Sequence, residues 1–232
     1  MTWQSPRHPR IFCISMQRTG TTSVGKFFRD FGFRWAGWPS DEKNGWTKAW
    51  YDGDFERIFT SPEFLDADAF EDSPWWLPGF YKVLHHRFPG ARFILLTRDP
   101  AAWFRSMVAH SDGHVIGDNR VHCKIYRREL EFFRLMEGDP LADDDKQRFD
   151  SEHRLKLSHM EEHYKAIYEL HTTEVLDFFR RRSPGSLFTR RLEDAGTWQA
   201  LGRFLGVDVP ASYRSHENVS RPHSDRRSGS SS

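Results

Sequence analysis

Apolar positions along the chain fall into two alternating spacings. Residues 11–15 form a short apolar run with polar flanks, the pattern of a buried strand. Val24, Phe27, Phe28 and Phe31 then recur at i, i+3, i+4 and i+7, the stripe of an amphipathic helix. Gly32 stands where a C-capping glycine is expected, and residues 33–35 suggest a second short strand. Residues 36–66 are rich in Gly, Asp and Trp with weak periodicity, which predicts loops with short helices. A third strand ends within 67–72, a helix covers 77–88, and Pro89-Gly90 makes a turn. FILLT, residues 93–97, is the clearest strand. Asp99-Pro100 after it supplies an N-cap and an N1 proline for a helix carrying Trp103, Phe104, Met107 and Val108.

The next stretch, 111–150, is polar and reads as loop, with Asp143, Asp144 and Asp145 as a solvated acidic run. Tyr164, Ile167, Tyr168, His171, Val175, Phe178 and Phe179 keep helical spacing over four turns. Residues 187–189 predict the last strand, and Trp198, Leu201 and Leu205 a helix after it. Strands alternating with helices imply an α/β fold, a parallel sheet covered on both faces. Residues 1–219 read as one domain. Residues 220–232, rich in Ser, Arg and Gly, read as a disordered tail.

Composition narrows the function. A length of 232 residues suits one large α/β domain, and 20 Phe and 9 Trp supply core volume although only 38% of residues are hydrophobic. The formal net charge of +1 gives no global field for nucleic acid or an anionic membrane, so any anion site is a local concentration of charge. Cys13 and Cys123 do not suggest a disulfide framework. Neither an apolar leader nor a stretch of transmembrane length is apparent, so a cytoplasmic location is expected.

Two segments carry chemistry, both placed at the carboxyl ends of predicted strands, where parallel sheets bind ligands. In the first, Gln17, Arg18, Thr19, Gly20, Thr21, Thr22 and Ser23 lead from strand to helix. The first backbone N–H groups of that helix lack internal partners, and its dipole favours an anion. Gly20 permits close approach, the hydroxyls add donors, and Arg18 adds a fixed fork. A triphosphate loop would end in Gly-Lys-Ser/Thr; here Thr21 follows Gly20 and the cation comes earlier, at Arg18. A sulfuryl group, less charged than a phosphoryl group, suits one guanidinium and a helix N-terminus without metal. In the second segment, Arg98 lies at a strand mouth, and Ser106 lies about two helical turns beyond Asp99 on the same face. Arg98 and Ser106 together form a candidate site for a second phosphate; the plainer reading pairs Arg98 with a carboxylate.

Together these segments resemble the sulfotransferases that use 3′-phosphoadenosine 5′-phosphosulfate (PAPS). The resemblance extends through DAFEDSPWW, FPGARFILLTRDP and LFTRRLEDAGTWQALGRFLGV, and covers most of residues 10–218. It implies a three-layer α/β/α, nucleoside-kinase-like fold with a five-stranded parallel sheet. Residues 17–23 would bind the 5′-phosphosulfate, and Arg98 and Ser106 the 3′-phosphate. The implied reaction is in-line sulfuryl transfer to an acceptor hydroxyl or amine, with 3′-phosphoadenosine 5′-phosphate (PAP) as product and no metal. The Lys common in the first loop of the cytosolic branch is Arg18 here. The Arg-Lys-Gly segment that many members close over the 3′-phosphate has no match beyond Arg221.

Family members deprotonate the acceptor with His, Glu or Asp, often just after the strand preceding the third helix. That region here is Phe70-Glu71-Asp72-Ser73-Pro74. Successive strand residues face opposite sides, so Glu71 and Asp72 cannot both point inward, and Asp72, two before Pro74, is the expected base. Trp38, Trp75 and Trp76 are candidates to line an acceptor pocket, and His85-His86 an exposed helix face. Sugar, lipid and other small-molecule acceptors all fit, and a homodimer is open. The rival readings are a kinase-like phosphotransferase, a nucleotide-binding module without catalysis, and a zinc peptidase through His159, Glu162 and His163 in an H-x-x-E-H pattern.

Overall fold

The computed structural model describes residues 9–114, 120–135 and 155–215. Five strands, β1 (Ile11–Cys13), β2 (Trp35–Ala36), β3 (Ala69–Phe70), β4 (Arg92–Thr97) and β5 (Leu187–Arg191), form one sheet in the order β2-β3-β1-β4-β5. Every pairing is parallel. Helix α1 (Thr21–Asp30) joins β1 to β2, and α2 (Trp38–Asn44), α3 (Trp46–Asp52), α4 (Phe55–Phe59) and α5 (Pro62–Asp66) lie between β2 and β3. Helix α6 (Phe80–Arg87) leads to β4. Then come α7 (Pro100–His110), α8 (Arg120–Ile125), α9 (Glu129–Leu135) and α10 (Glu161–Arg182), and α11 (Thr197–Leu205) follows β5.

Side chains alternate across the sheet. Ile11, Cys13, Ala69, Ile94, Leu96 and Phe188 pack with Val24, Phe27 and Phe28 of α1 and Trp198 and Leu201 of α11. Phe12, Phe70, Phe93 and Leu95 face the other way, onto Phe80, Tyr81 and Leu84 of α6 and Val175 and Phe179 of α10. Burial on both faces is why these strands read as continuous apolar runs. A third cluster joins Met16 to α7, α8 and α10 through Trp103, Phe104, Met107, Val121, Tyr164 and Tyr168.

The chain thus leaves β1 for a helix on one face of the sheet and leaves β4 for a helix packed in a different cluster. The space between the carboxyl ends of β1 and β4 is the switch point of the sheet, where ligands settle in this architecture.

Several expectations are revised. The polar stretch beyond residue 111 contains α8 and α9. The second strand begins at Trp35 rather than 33, and the third is Ala69–Phe70 only. Trp75 and Trp76 are fully buried core residues rather than pocket walls; Trp75 packs on Phe12, Phe64 and Phe70. His85 is half-buried, bonded to Ser183 Oγ at 2.8 Å and edge-on to Phe178. The acidic run 143–145, Arg221 and the 220–232 tail lie outside the described residues.

Candidate active site

Where the backbone of β1 leaves the sheet, a side chain continues the ladder. Ser15 Oγ accepts from Leu96 N at 2.7 Å and donates to Ile94 O at 3.2 Å. The loop after it is held from within and from α7 and Tyr126. Thr19, fully buried, turns its hydroxyl back to Met16 O at 2.5 Å. Trp103 Nε1 donates to Gln17 O at 2.9 Å, and the Gln17 amide donates to the Tyr126 hydroxyl. Gly20 adopts φ 96°, the left-handed region that favours glycine. A Cβ there would lie 2.7 Å from Leu192 Cδ1. Gly20 brings no side-chain cap to α1, and no acidic residue lies in its first turn to compete for the helix N-terminus.

Both predicted segments meet here. Arg18 Nε donates to Ser106 Oγ at 3.2 Å. Arg98 Nη1 donates to Arg18 O at 3.2 Å, and Arg98 Nε to Glu193 Oε1 at 2.9 Å. Tyr168 of α10 ties down the backbone of Arg98: its hydroxyl accepts from Arg98 N at 2.8 Å and donates to Arg98 O at 3.2 Å. The Tyr168 ring stacks on Trp103, with centroids 4.6 Å apart. Burial lowers the pKa of Arg18, and the charge of Arg98 lowers it further. The two guanidinium groups are thus close enough to repel each other. Gln17, Arg18, Gly20, Thr22, Arg98 and Ser106 are half-buried and reachable, whereas Thr19, Thr21 and Ser23 are buried in the loop wall. The predicted N-cap is present: Asp99 Oδ1 accepts from Ala102 N at 2.9 Å.

The carboxylates lie beyond β3. Asp72 sits at φ 68°, is half-buried, and accepts from Ser73 N at 2.8 Å. Burial raises its pKa, while the Ser73 amide and the Trp76 indole draw it back. Glu71 points to the α1 side. Its carboxyl lies where a Cβ on Gly25 or Gly37 would fall, 2.8 and 2.4 Å from Oε1, and Oε2 has no hydrogen-bond partner. Burial raises the Glu71 pKa to about 8, with the charge of Asp72 adding to the rise. β3 ends at Phe70 and Asp72 takes a left-handed backbone, so the strand alternation expected to separate Glu71 from Asp72 does not extend to them. Asp41, which the sequence reading missed, is buried and caps α3, accepting from Thr47 N at 2.7 Å and Thr47 Oγ1 at 2.6 Å. Burial raises its pKa to about 6; the Thr47 bonds oppose the rise and Asp72 contributes to it.

The model of a sulfotransferase domain matches residues 10–228. The chain belongs to the sulfotransferase domain family. No curated protein matches it. The five-stranded parallel sheet with flanking helices is the fold of such a transferase. Among the described residues of this sulfotransferase, no group of three or more His, Cys, Asp or Glu is placed to hold a metal ion. The H-x-x-E-H pattern does not assemble on one helix face. His159 precedes α10, Glu162 is exposed beside Lys165, and His163 Nε2 is engaged with Tyr126 O at 2.8 Å. No helix among the described residues is long and apolar enough to cross a membrane.

Sequence reasoning missed Tyr126, Tyr168, Trp103 and Glu193 as parts of the site. Trp103 and Tyr168 were legible only as apolar stripe positions. Their polar tips reach the loops while their rings fill the core, a division typical of Trp and Tyr.

Proposed function

We propose that this sulfotransferase takes its sulfuryl group from PAPS and passes it to an acceptor hydroxyl or amine by in-line displacement. The observation that supports this most is the linkage of the two arginine segments at the switch point, Arg18 to Ser106 and Arg98 to Arg18 O. A donor with anions at both its 5′ and 3′ ends suits a site with two cations. A nucleotide with phosphates on the 5′ side alone would leave Arg98 and Ser106 unused. The residues present fit such a donor: a glycine at a point of close approach, a helix N-terminus with no acidic residue in its first turn, and two half-buried guanidinium groups.

In this reading Gln17, Arg18, Gly20 and Thr22, with the α1 amides, hold the 5′ end, backed by the buried Thr19, Thr21 and Ser23. Arg98 and Ser106 hold the 3′-phosphate. When bound, the donor supplies an activated sulfuryl group whose S–O bond to the 5′-phosphate breaks as the acceptor O–S bond forms, the bonding pair leaving with PAP. Arg18 stabilises charge gathering on the leaving oxygen, as a preorganised donor does in a partly dry site. Asp72 accepts the acceptor proton as its oxygen attacks. Thr21 after Gly20, where a triphosphate loop carries Lys, weighs against a kinase.

Calorimetry with PAP and ADP tests the donor. PAP should bind at least tenfold more tightly, and Arg98→Ala should remove most of that preference. Equal affinities for the two nucleotides would sink the proposal.

A further inference from the structure

Two cations on α8 have no carboxylate partner among the described residues. Arg120 and Lys124 lie one turn apart on α8, and neither forms an ion pair among the described residues. Both sit against the same aromatic ring of α3. Lys124 Nζ is 4.4 Å from the centroid of Tyr51, and the Arg120 guanidinium carbon is 5.2 Å from it. Lys124 is also 5.9 Å from Trp50, and Arg120 5.3 Å from Phe133. Arg120 Nε is buried with no hydrogen-bond partner among the described residues.

This arrangement has a cost. Like charges four apart on a helix destabilise it, and a buried donor left unmade loses its hydration without return. Cation–π contacts fix both groups over the ring, but they do not supply the missing acceptor for Arg120 Nε or cancel the repulsion. An anion between the two groups would do both.

The patch is tied to the active site from two directions. α8 runs directly into Tyr126, whose hydroxyl accepts from Gln17 of the phosphate loop. α3 is capped by Asp41, which lies close enough to Asp72 to feel its charge. Trp50 packs against the cluster that contains Met16 and Trp76. One supporting element therefore reaches the donor loop and the other reaches the candidate base.

We propose that Arg120 and Lys124, held on Tyr51, form the anion-binding subsite for the acceptor. The acceptor is then a hydroxyl compound that already carries a carboxylate or sulfate, bound with that group on α8 and its hydroxyl toward Asp72. This inference rests on the sulfotransfer reading and adds the substrate class.

Matched probes test it on the PAP-saturated protein: 4-hydroxyphenylacetate against its amide, and methyl β-glucuronide against methyl β-glucoside, by calorimetry. At least one acid should bind about tenfold more tightly than its neutral partner. Lys124 is exposed, so Lys124→Gln leaves packing intact, and it alone should cut the preference about threefold. Arg120→Gln with Lys124→Gln should abolish it, with PAP affinity within twofold of the parent. The subsite is wrong if neither acid is preferred, or if the preference survives the double substitution. Replacing Asp143, Asp144 and Asp145 together by Asn tests the acidic run as a rival anion; acid binding that appears only in that chain would make the acidic run the occupant of the patch and overturn the acceptor subsite. Failure of the unmodified protein to bind PAP would instead remove the donor reading, and the preference between acid and neutral probes would still be read in the absence of nucleotide.

Discussion

Arg98 Nε donates to Glu193 Oε1 at 2.9 Å while Arg98 Nη1 donates to the carbonyl of Arg18. One guanidinium thus links the loop after β1 to the turn after β5. Glu193 orients it but also places a negative charge beside a site suited to phosphate. Glu193→Gln keeps an acceptor for Nε and removes the charge. PAP affinity should rise about two- to fivefold, the scale of one exposed charge interaction. The gain should shrink as salt rises, because screening shortens the reach of that charge. Calorimetry at two ionic strengths checks it; weaker PAP binding by Glu193→Gln would show that orientation outweighs charge.

Arg18 has a different role. Its guanidinium is partly desolvated and bonded to Ser106, and in the proposed reaction it faces the charge that develops on the leaving oxygen. Arg18→Ala should lower kcat by about 10²–10³, the size expected for loss of one such donor. Chelator should leave turnover of the parent unchanged, since Arg18 and the α1 amides carry the neutralisation. Single-turnover assays with and without EDTA check both, and rescue of a chelated sample by Mg²⁺ would assign that neutralisation to a metal instead.

Gly20 combines φ 96° with Leu192 overhead. The Leu192 methyls can shift, so most of the cost of Gly20→Ala comes from the left-handed backbone, about 1–2 kcal/mol. A Tm lower by about 2–8 °C is expected for a chain of this size. Adding Leu192→Ala should restore little of it, because it relieves the contact and not the dihedral. Full recovery in the double variant, measured by thermal denaturation, would assign the cost to the clash.

Glu71 sets a pH dependence of stability. Its carboxyl has one oxygen against Gly25 and Gly37 and the other without a partner, near Trp35, Arg29 and Asp72. Folding raises its pKa from 4.5 to about 8. Between those values the folded chain keeps a proton that the unfolded chain has lost, so stability falls as pH rises and levels off above about 8. The slope is at most about 1.4 kcal/mol per pH unit for one such group. Glu71→Gln, already neutral, should flatten this fall and be more stable than the parent at pH 8. Denaturant titrations at pH 5 and pH 8 measure it, and an unchanged slope in the variant would place the titration on another group.

How far the sequence reveals this molecule depends on whether a signal is local. FILLT and Asp99-Pro100 predict β4 and the start of α7 because strand burial, N-cap and N1 proline act within a few residues. α8 was missed because Val121 and Ile125 are interleaved with His122, Cys123 and Lys124, and their burial against α3 and α10 is a tertiary fact. Trp75 and Trp76 read equally well as pocket or core until Phe12, Phe64 and Phe70 are seen around Trp75. Arg18, Arg98 and Ser106 were found through two short motifs. Glu193 was not, because its partner is 95 residues away along the chain.

The two carboxyl groups after β3 give a direct test of the proposed base. Asp72 is half-buried, bonded to the Ser73 amide, and near the indole of Trp76. Burial lifts its pKa, which makes it a better proton acceptor than a free Asp near 3.9. Glu71, on the α1 side, has its carboxyl wedged at Gly25 and Gly37. Its pKa of about 8 keeps it protonated at neutral pH, a poor state for a base. Asp72→Asn preserves shape and removes the acceptor, so kcat should fall by about 10²-fold or more, with PAP affinity little changed. Glu71→Gln should leave kcat within a few-fold of the parent. In the parent, kcat should decline as pH drops through the raised Asp72 pKa, because protonated Asp72 accepts no proton. That limb should vanish from the residual activity of Asp72→Asn. A variant that retains the limb would locate the titrating base elsewhere, with Asp41, whose pKa burial raises to about 6, as a carboxyl to examine.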